Sequence, residues 1–252
     1  MVAYPFSFAP YIALCYLENM RLLEKTDENV SSLYNRLANK YDKRYKRPIH
    51  FVEEEIINDF LPELRDDQTV LDIGCGTGNM INVGQYTHRQ YTGIDISEKM
   101  LDTAIQKYQG YNFIHGDGQQ CVRAGGFDLV LHIFGQLNYM GVYEWLDSIM
   151  KNLKVKGMFV TVCYAPSYKP EYIDFALPPV NLFEVENVLN TEGFHWNIWG
   201  LTFPTIGHHR LSYKQLYETQ HTLTHSSSLA DCQYYIIVGQ YCDDKPALYA
   251  VT

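Results

Sequence analysis

Apolar and polar positions along this chain follow two periods. Residues 10–25 and 27–62 space their apolar side chains as helices do. In the second stretch Leu33, Leu37 and Tyr41 fall at i, i+4 and i+8, and Pro48 marks a break. From residue 69 the texture changes to short apolar runs separated by helical patterns. Strands are predicted at 69–73, 91–96, 111–115, 127–132 and 158–164. A Gly-rich loop and a short helix from Asn79 follow the first. Ser97 is placed to cap the next helix, whose Leu101, Ile105 and Tyr108 share a face. The 127–132 run is almost continuously apolar, which suits a strand buried on both faces. Residues 143–153 read as a helix, with Gly157 as a turn before the fifth strand. Beyond Pro166 the pattern loosens. A helix is predicted over 183–189, ending near Gly193, and the last two strands over 195–203 and 233–242. Strands alternating with helices imply βαβ units and a parallel, doubly wound sheet.

Composition narrows the function classes. The chain has 252 residues, 46% of them apolar, enough for a packed core. Its net charge of −9 argues against holding nucleic acid or an anionic membrane through a broad basic face. A short basic cluster, Lys40, Lys43, Arg44, Lys46 and Arg47, is either a solvated helix face or a site for an anionic group. The cysteines Cys15, Cys75, Cys121, Cys163, Cys232 and Cys242 form no C-x-x-C pair, which suits reduced thiols in a cytoplasmic protein. The apolar start is interrupted by Pro5 and Pro10 and lacks a basic n-region. No stretch reaches about 18 uninterrupted apolar residues, so no membrane span is expected. The expected organisation is an N-terminal helical cover over 1–62, then an α/β domain over 63–252 with cap segments around 165–182 and 203–232. Nothing in the pattern speaks to oligomeric state.

The segment that carries chemistry is Val70-Leu71-Asp72-Ile73-Gly74-Cys75-Gly76-Thr77-Gly78, D-x-G-x-G-x-G between a strand and a helix. Glycines let the backbone turn tightly and approach a ligand without Cβ clashes. Asp95, at the end of the second strand, is placed to accept both hydroxyls of a ribose. The spacing is not G-x-G-x-x-G, and a carboxylate at Asp72 is awkward beside a pyrophosphate. That weakens a nicotinamide- or flavin-dependent oxidoreductase. It suits a ligand with a ribose and a positively charged end.

At these residues the sequence resembles the class I S-adenosylmethionine-dependent methyltransferases, in particular the small-molecule branch that includes quinone biosynthesis. The likeness runs over roughly residues 33–164. Asp95, Ile96, Ser97 and Met100 resemble the segment that holds the ribose and covers the adenine. Gly116-Asp117-Gly118 stands where the family places an acid near the adenine amino group. Phe127-Asp128-Leu129-Val130 matches the fourth strand, and Leu153–Met158 the turn before the fifth, with Val155 and Lys156 departing from the usual Pro and Gly. Tyr34, Tyr41 and Asp42 resemble the cover helix. The resemblance implies a Rossmann-like, doubly wound, seven-stranded sheet with its last strand antiparallel. It implies S-adenosylmethionine as methyl donor, S-adenosylhomocysteine as product, and a small-molecule acceptor methylated at nitrogen or oxygen. The cofactor set it implies is Tyr34, Tyr41, Asp72, Gly74, Cys75, Gly76, Thr77, Gly78, Asp95, Ile96, Met100, Gly116, Asp117, Gly118 and His132.

The loop after the fourth strand faces the transferred methyl in this fold. Here it reads His132-Ile133-Phe134-Gly135-Gln136-Leu137-Asn138-Tyr139. It lacks the Asn/Asp-Pro-Pro-Tyr of enzymes that methylate base amines and the Pro-Cys of cytosine C5 enzymes. His132 is the expected general base or cofactor contact. Phe134, Asn138, Tyr139, His208, His209 and Tyr213 are the expected acceptor contacts, and the Pro-interrupted N-terminus a lid. His221 and His225 would share a helix face, but neighbouring acids are few and no metal is expected. The alternatives are an RNA or protein methyltransferase and a catalytically inactive S-adenosylmethionine-binding protein.

Overall fold

The computed structural model describes residues 30–43, 45, 46, 48–166, 168, 177–202, 222–225, 229 and 232–242. Helix α1 occupies residues 30–43, and α2 is Pro48–Phe60. Proline opens α2 at no cost, because the first N–H of a helix has no intrahelical partner. The remaining helices are α3 (Met80–Val83), α4 (Glu98–Lys107), α5 (Gln136–Met140), α6 (Val142–Asn152) and α7 (Leu182–Thr191). Ser97 caps α4 as its sequence position predicts, accepting from the Met100 N–H at 3.2 Å.

The strands are β1 (Val70–Ile73), β2 (Tyr91–Asp95), β3 (Asn112–His115), β4 (Phe127–Ile133), β5 (Leu153–Tyr164), β6 (Phe194–Thr202), β7 (Thr222–His225) and β8 (Tyr234–Tyr241). They form one sheet in the order β3-β2-β1-β4-β5-β8-β6-β7. The first five are mutually parallel, and β8 enters antiparallel between β5 and β6. This is the expected seven-stranded sheet with its last strand reversed, extended by the four-residue edge strand β7. Residues 222–225 are thus extended, and the helical face expected to bring His225 beside His221 does not form there. His221 itself lies outside the described residues. Gly157 is not a turn between elements either. It lies inside β5, and the positive φ falls on Lys156 at 64°.

From β1 the chain winds outward through β2 and β3, then returns to β4 on the other side of β1. A crevice opens at that reversal, beyond the carboxyl ends of the strands. One apolar layer packs α1, α2 and α3 on the sheet, with Leu33, Val52, Ile56 and Ile81 against Val70, Leu129 and Leu131. The other packs α5, α6 and α7, with Trp145, Ile149 and Val185 against Ile73, Val130 and Phe159. Trp145 is fully buried and its indole N–H donates to Thr161 Oγ1 at 2.9 Å, so burial leaves no polar atom unmet there. No described helix is long and apolar enough to cross a membrane.

Candidate functional site

The crevice holds a cleft lined by Gly74, Gly76, Asp95, Asp117, Phe134 and Tyr139. The glycine loop forms its floor. Gly74, Gly76 and Gly78 all take positive φ, at 73°, 54° and 79°. A Cβ on Gly74 would run into the Gln136 amide. One on Gly76 would point into open space. The loop is held by Asp95, whose Oδ2 accepts the Gly76 N–H at 2.8 Å and whose Oδ1 accepts the Ser97 N–H at 2.7 Å. Burial pushes the Asp95 carboxyl up to about 6 against the opposing pull of those two N–H groups. Each carboxylate oxygen keeps a second lone pair for a ligand hydroxyl. Asp117 and Gly118 line the same end, where the Asp117 carboxylate accepts the Gln119 N–H at 2.9 Å.

A second chamber adjoins the first. The two share Tyr41, Gly74, Gly76, Ile133 and Phe134 in their walls. Asp72 lies in the second chamber's wall, fully buried, and takes a 2.6 Å hydrogen bond from the Tyr91 hydroxyl. Burial, reinforced by the nearby Asp95 charge, outweighs that bond and pushes Asp72 up to about 7. Phe134 follows β4 at φ 62°, a conformation that an aromatic residue adopts at a cost. Its ring stacks on Tyr164 and its face is shared by both chambers. Tyr139, Tyr34, Tyr41 and Tyr45 continue this aromatic wall, with the Tyr34 and Tyr139 hydroxyls 3.1 Å apart.

Helix α1 roofs the site and is fastened at both ends. Near its start Ser31 donates to the Ile96 carbonyl, and Asn35 accepts from the Ser97 hydroxyl at 2.8 Å. Near its end Asp42 accepts from the Thr77 hydroxyl at 2.6 Å and pairs with Lys107 at 2.8 Å. Among the described residues no Lys or Arg lines either chamber. The walls offer Asp95 and Asp117 on one side and Glu53, Glu54 and Asp72 on the other, an environment for a cation.

Comparisons with known proteins agree with this geometry. Residues 70–157 match a family described as a methyltransferase domain. An uncharacterised protein of Methanocaldococcus jannaschii is 31% identical over 147 residues, covering 58% of this chain and 55% of that protein. A demethylmenaquinone methyltransferase of Thermotoga maritima is 29% identical over 157 residues, covering 56% and 64%. The matched stretch therefore spans less than two thirds of the length of these relatives. Residues 70–157 thus match a methyltransferase domain, and it is in this part of the chain that the resemblance to the class I S-adenosylmethionine-dependent methyltransferases lies. Among solved structures, a Thermotoga maritima methyltransferase described as a possible histamine N-methyltransferase shares the fold, with a TM-score of 0.64 at 15% identity over 83% of this chain and 98% of that one.

A methyl donor of this family carries a ribose, a sulfonium and an ammonium, and the residues present fit it. Gly76 leaves the space a Cβ would take, and Asp72 is a buried carboxyl in a chamber that no Lys or Arg lines among the described residues. Of the methyltransferase residues expected from sequence, Tyr34, Tyr41, Gly74, Gly76, Asp95, Ile96, Gly116, Asp117, Gly118, Phe134 and Tyr139 line the first chamber. Asp72, Cys75 and Thr77 line the second. Gly78 lines neither and packs against the Tyr108 ring. Met100 is buried in α4 rather than facing the cleft, and Ile96 takes the wall position there.

Two expectations for the loop after β4 are corrected. His132 points away from both chambers, into the layer of α6, and is fully buried. The Ser148 hydroxyl donates to the Trp145 carbonyl at 2.7 Å, so it accepts from His132 Nε2 at 2.9 Å. The Nδ1 atom is left buried without a partner. Burial in this apolar layer lowers the imidazole to about 3, which leaves it neutral at neutral pH. Asn138 is spent on backbone, accepting the Tyr164 N–H and donating to the Tyr164 and Pro178 carbonyls. It braces the end of β5 and lines neither chamber. His208, His209, Tyr213 and the N-terminal lid lie outside the described residues.

Sequence reasoning missed Gln136, which covers Gly74, and the Asp42–Lys107 latch. It also missed His50 and Glu53 in the second chamber. The spacing H-x-x-E at the start of a helix was the available signal for the last pair.

Proposed function

We propose that this chain transfers the methyl group of S-adenosylmethionine to nitrogen or oxygen of a small-molecule acceptor and releases S-adenosylhomocysteine. The observation that carries the reading is the junction of the two chambers. One chamber has the acids for an adenosine, the other has the glycine loop and an aromatic wall, and they meet at the carboxyl ends of β1 and β4. Asp95 takes the ribose hydroxyls, Asp117 the adenine amino group, and the Gly74–Gly78 loop the methionine part. Asp72 faces the ammonium. Tyr34, Tyr41, Phe134 and Tyr139 wall the place where donor and acceptor meet. Holding the two in line supplies most of the rate, an effect worth roughly 7–11 kcal/mol in favourable cases. The likeness to a demethylmenaquinone methyltransferase supports a small acceptor, and the acidic walls oppose a nucleic acid.

The test is transfer of labelled methyl from S-adenosylmethionine into a host-cell extract, split into acid-precipitable and soluble fractions. Label in a soluble species is expected, and mass spectrometry with NMR then locates the methyl. Label confined to precipitable material would refute the small-molecule reading. A methyl found on carbon would refute nitrogen or oxygen.

A further inference from the structure

With His132 turned away, the acceptor's proton needs another destination, and the start of α2 provides one. His50 lines the second chamber, its side chain 21% exposed. Its Nδ1 lies 2.7 Å from Glu53 Oε2, one helical turn further on. Glu53 is 4% exposed, and its other oxygen accepts the Tyr234 hydroxyl at 2.8 Å. That bond joins residues 181 apart in sequence, so the carboxylate is fixed by the cover helix and by β8 together. A carboxylate facing Nδ1 places the proton there and leaves the lone pair on Nε2. The Tyr45 ring packs 4.5 Å from the imidazole. The other charged groups of this chamber, Glu54 and Asp72, are acids.

Resting on the methylation proposed above, we propose that His50 accepts the acceptor's proton, that Glu53 is its positioning residue, and that the acceptor is a hydroxyl or a protonated amine rather than an anion. As the acceptor atom bonds to the methyl carbon, the carbon–sulfur bond breaks and its electron pair stays on sulfur, leaving a neutral thioether. The acceptor's proton passes to His50 Nε2 and its bonding pair remains on oxygen or nitrogen. For an amine that transfer comes first and frees the attacking lone pair. The imidazolium so formed is balanced by Glu53. For an anionic acceptor the walls around His50 offer no Lys or Arg among the described residues.

The experiment compares wild type, His50→Ala, Glu53→Gln and Glu53→Asp. S-Adenosylhomocysteine is titrated by calorimetry, and labelled methyl is followed from S-adenosylmethionine into the low-molecular-mass fraction of a host-cell extract. His50→Ala is expected to bind S-adenosylhomocysteine within about threefold of wild type and to lose about 10²- to 10⁴-fold in turnover, partly restored by added imidazole. Glu53→Gln is expected to lower kcat at unchanged KM, with Glu53→Asp recovering part of the loss. Wild-type turnover by His50→Ala would overturn the proposal. So would a tenfold or greater loss of S-adenosylhomocysteine affinity, which would assign His50 to the donor's carboxylate. If the wild type labels no small molecule, the methylation reading fails separately. The dyad is then decided by ¹⁵N NMR of His50 in the S-adenosylhomocysteine complex. A proton on Nδ1 and a lone pair on Nε2 support it, and the opposite tautomer overturns it.

Discussion

Replacing Asp72 with Asn is expected to make the protein more stable above pH 7 and to reshape its dependence on pH. Asp72 is fully buried, and its one hydrogen-bond partner among the described residues is the Tyr91 hydroxyl at 2.6 Å. Asp95, Cys75 and Tyr86 surround it, and none of them supplies positive charge. In the native protein the carboxyl holds its proton up to about 7, while the unfolded chain releases it near the ordinary 3.8. Between those values the native state binds more protons. Stability therefore falls as pH rises through that window and levels off above it. A difference of about three pKa units corresponds to roughly 4 kcal/mol once the group is ionised in both states, and about 2.5 kcal/mol of it accrues between pH 5 and 8.

His132 works in the opposite sense. Its native imidazole stays neutral down to about 3, so acid costs it stability below the ordinary 6.5, by about 2 kcal/mol at pH 5. Asp95, also raised, adds to the Asp72 trend. The wild-type profile is thus a partial cancellation, and the mutant-minus-wild-type difference isolates Asp72. The Asn carbonyl can still accept from Tyr91, so the fold keeps its hydrogen bond. Urea unfolding of ligand-free wild type and Asp72→Asn at pH 5, 6, 7 and 8 is expected to show the variant gaining about 2.5 kcal/mol relative to wild type across that range. A difference independent of pH would mean that Asp72 is already ionised in the native state, and the electrostatic account of the second chamber would fail.

Other variants test other parts of the site. Asp95→Ala removes the acceptor for two backbone N–H groups and the ribose contact. It is expected to weaken S-adenosylmethionine at least about tenfold by calorimetry. His132→Gln is expected to leave turnover within about threefold of wild type while lowering the unfolding midpoint, because the side chain serves α6 and not the chambers. Thr77→Val breaks the hydrogen bond to Asp42, and hydrogen exchange in residues 30–43 is expected to speed up without loss of the sheet's protection.

The order of strands and helices was legible because turn residues and period changes punctuate it, and because Ser97 and Pro48 mark helix starts by local chemistry. Strand β7 was not, since Thr222–His225 is an edge of four residues with no alternation of its own. The glycine loop and Asp95 were legible as a site because their spacing alone sets a backbone shape. The face of His132 was hidden for the reason that made β4 easy to find. A strand buried on both sides reads as one apolar run, and such a run has no polar beat to say which residues share a face.

Register supplies the missing beat. In the parallel pairing of β1 with β4, Asp72 stands beside Leu131 and Ile73 beside His132. Residues paired across a parallel ladder share a face, so whatever face Asp72 takes, His132 takes the other. Asp72 reaches the second chamber, so Ile133 does too, and His132 belongs with Ile73 under α6. The same parity rule moves the search for a base off the strand and onto the cover. An element above the sheet can offer a histidine to the chamber from outside, with its carboxylate behind it. His50 and Glu53 are three apart at the first turn of a helix whose apolar residues Val52, Ile56 and Ile57 already fix its inward face. What no local pattern could supply is Tyr234, which closes that carboxylate from β8 and depends on the completed sheet.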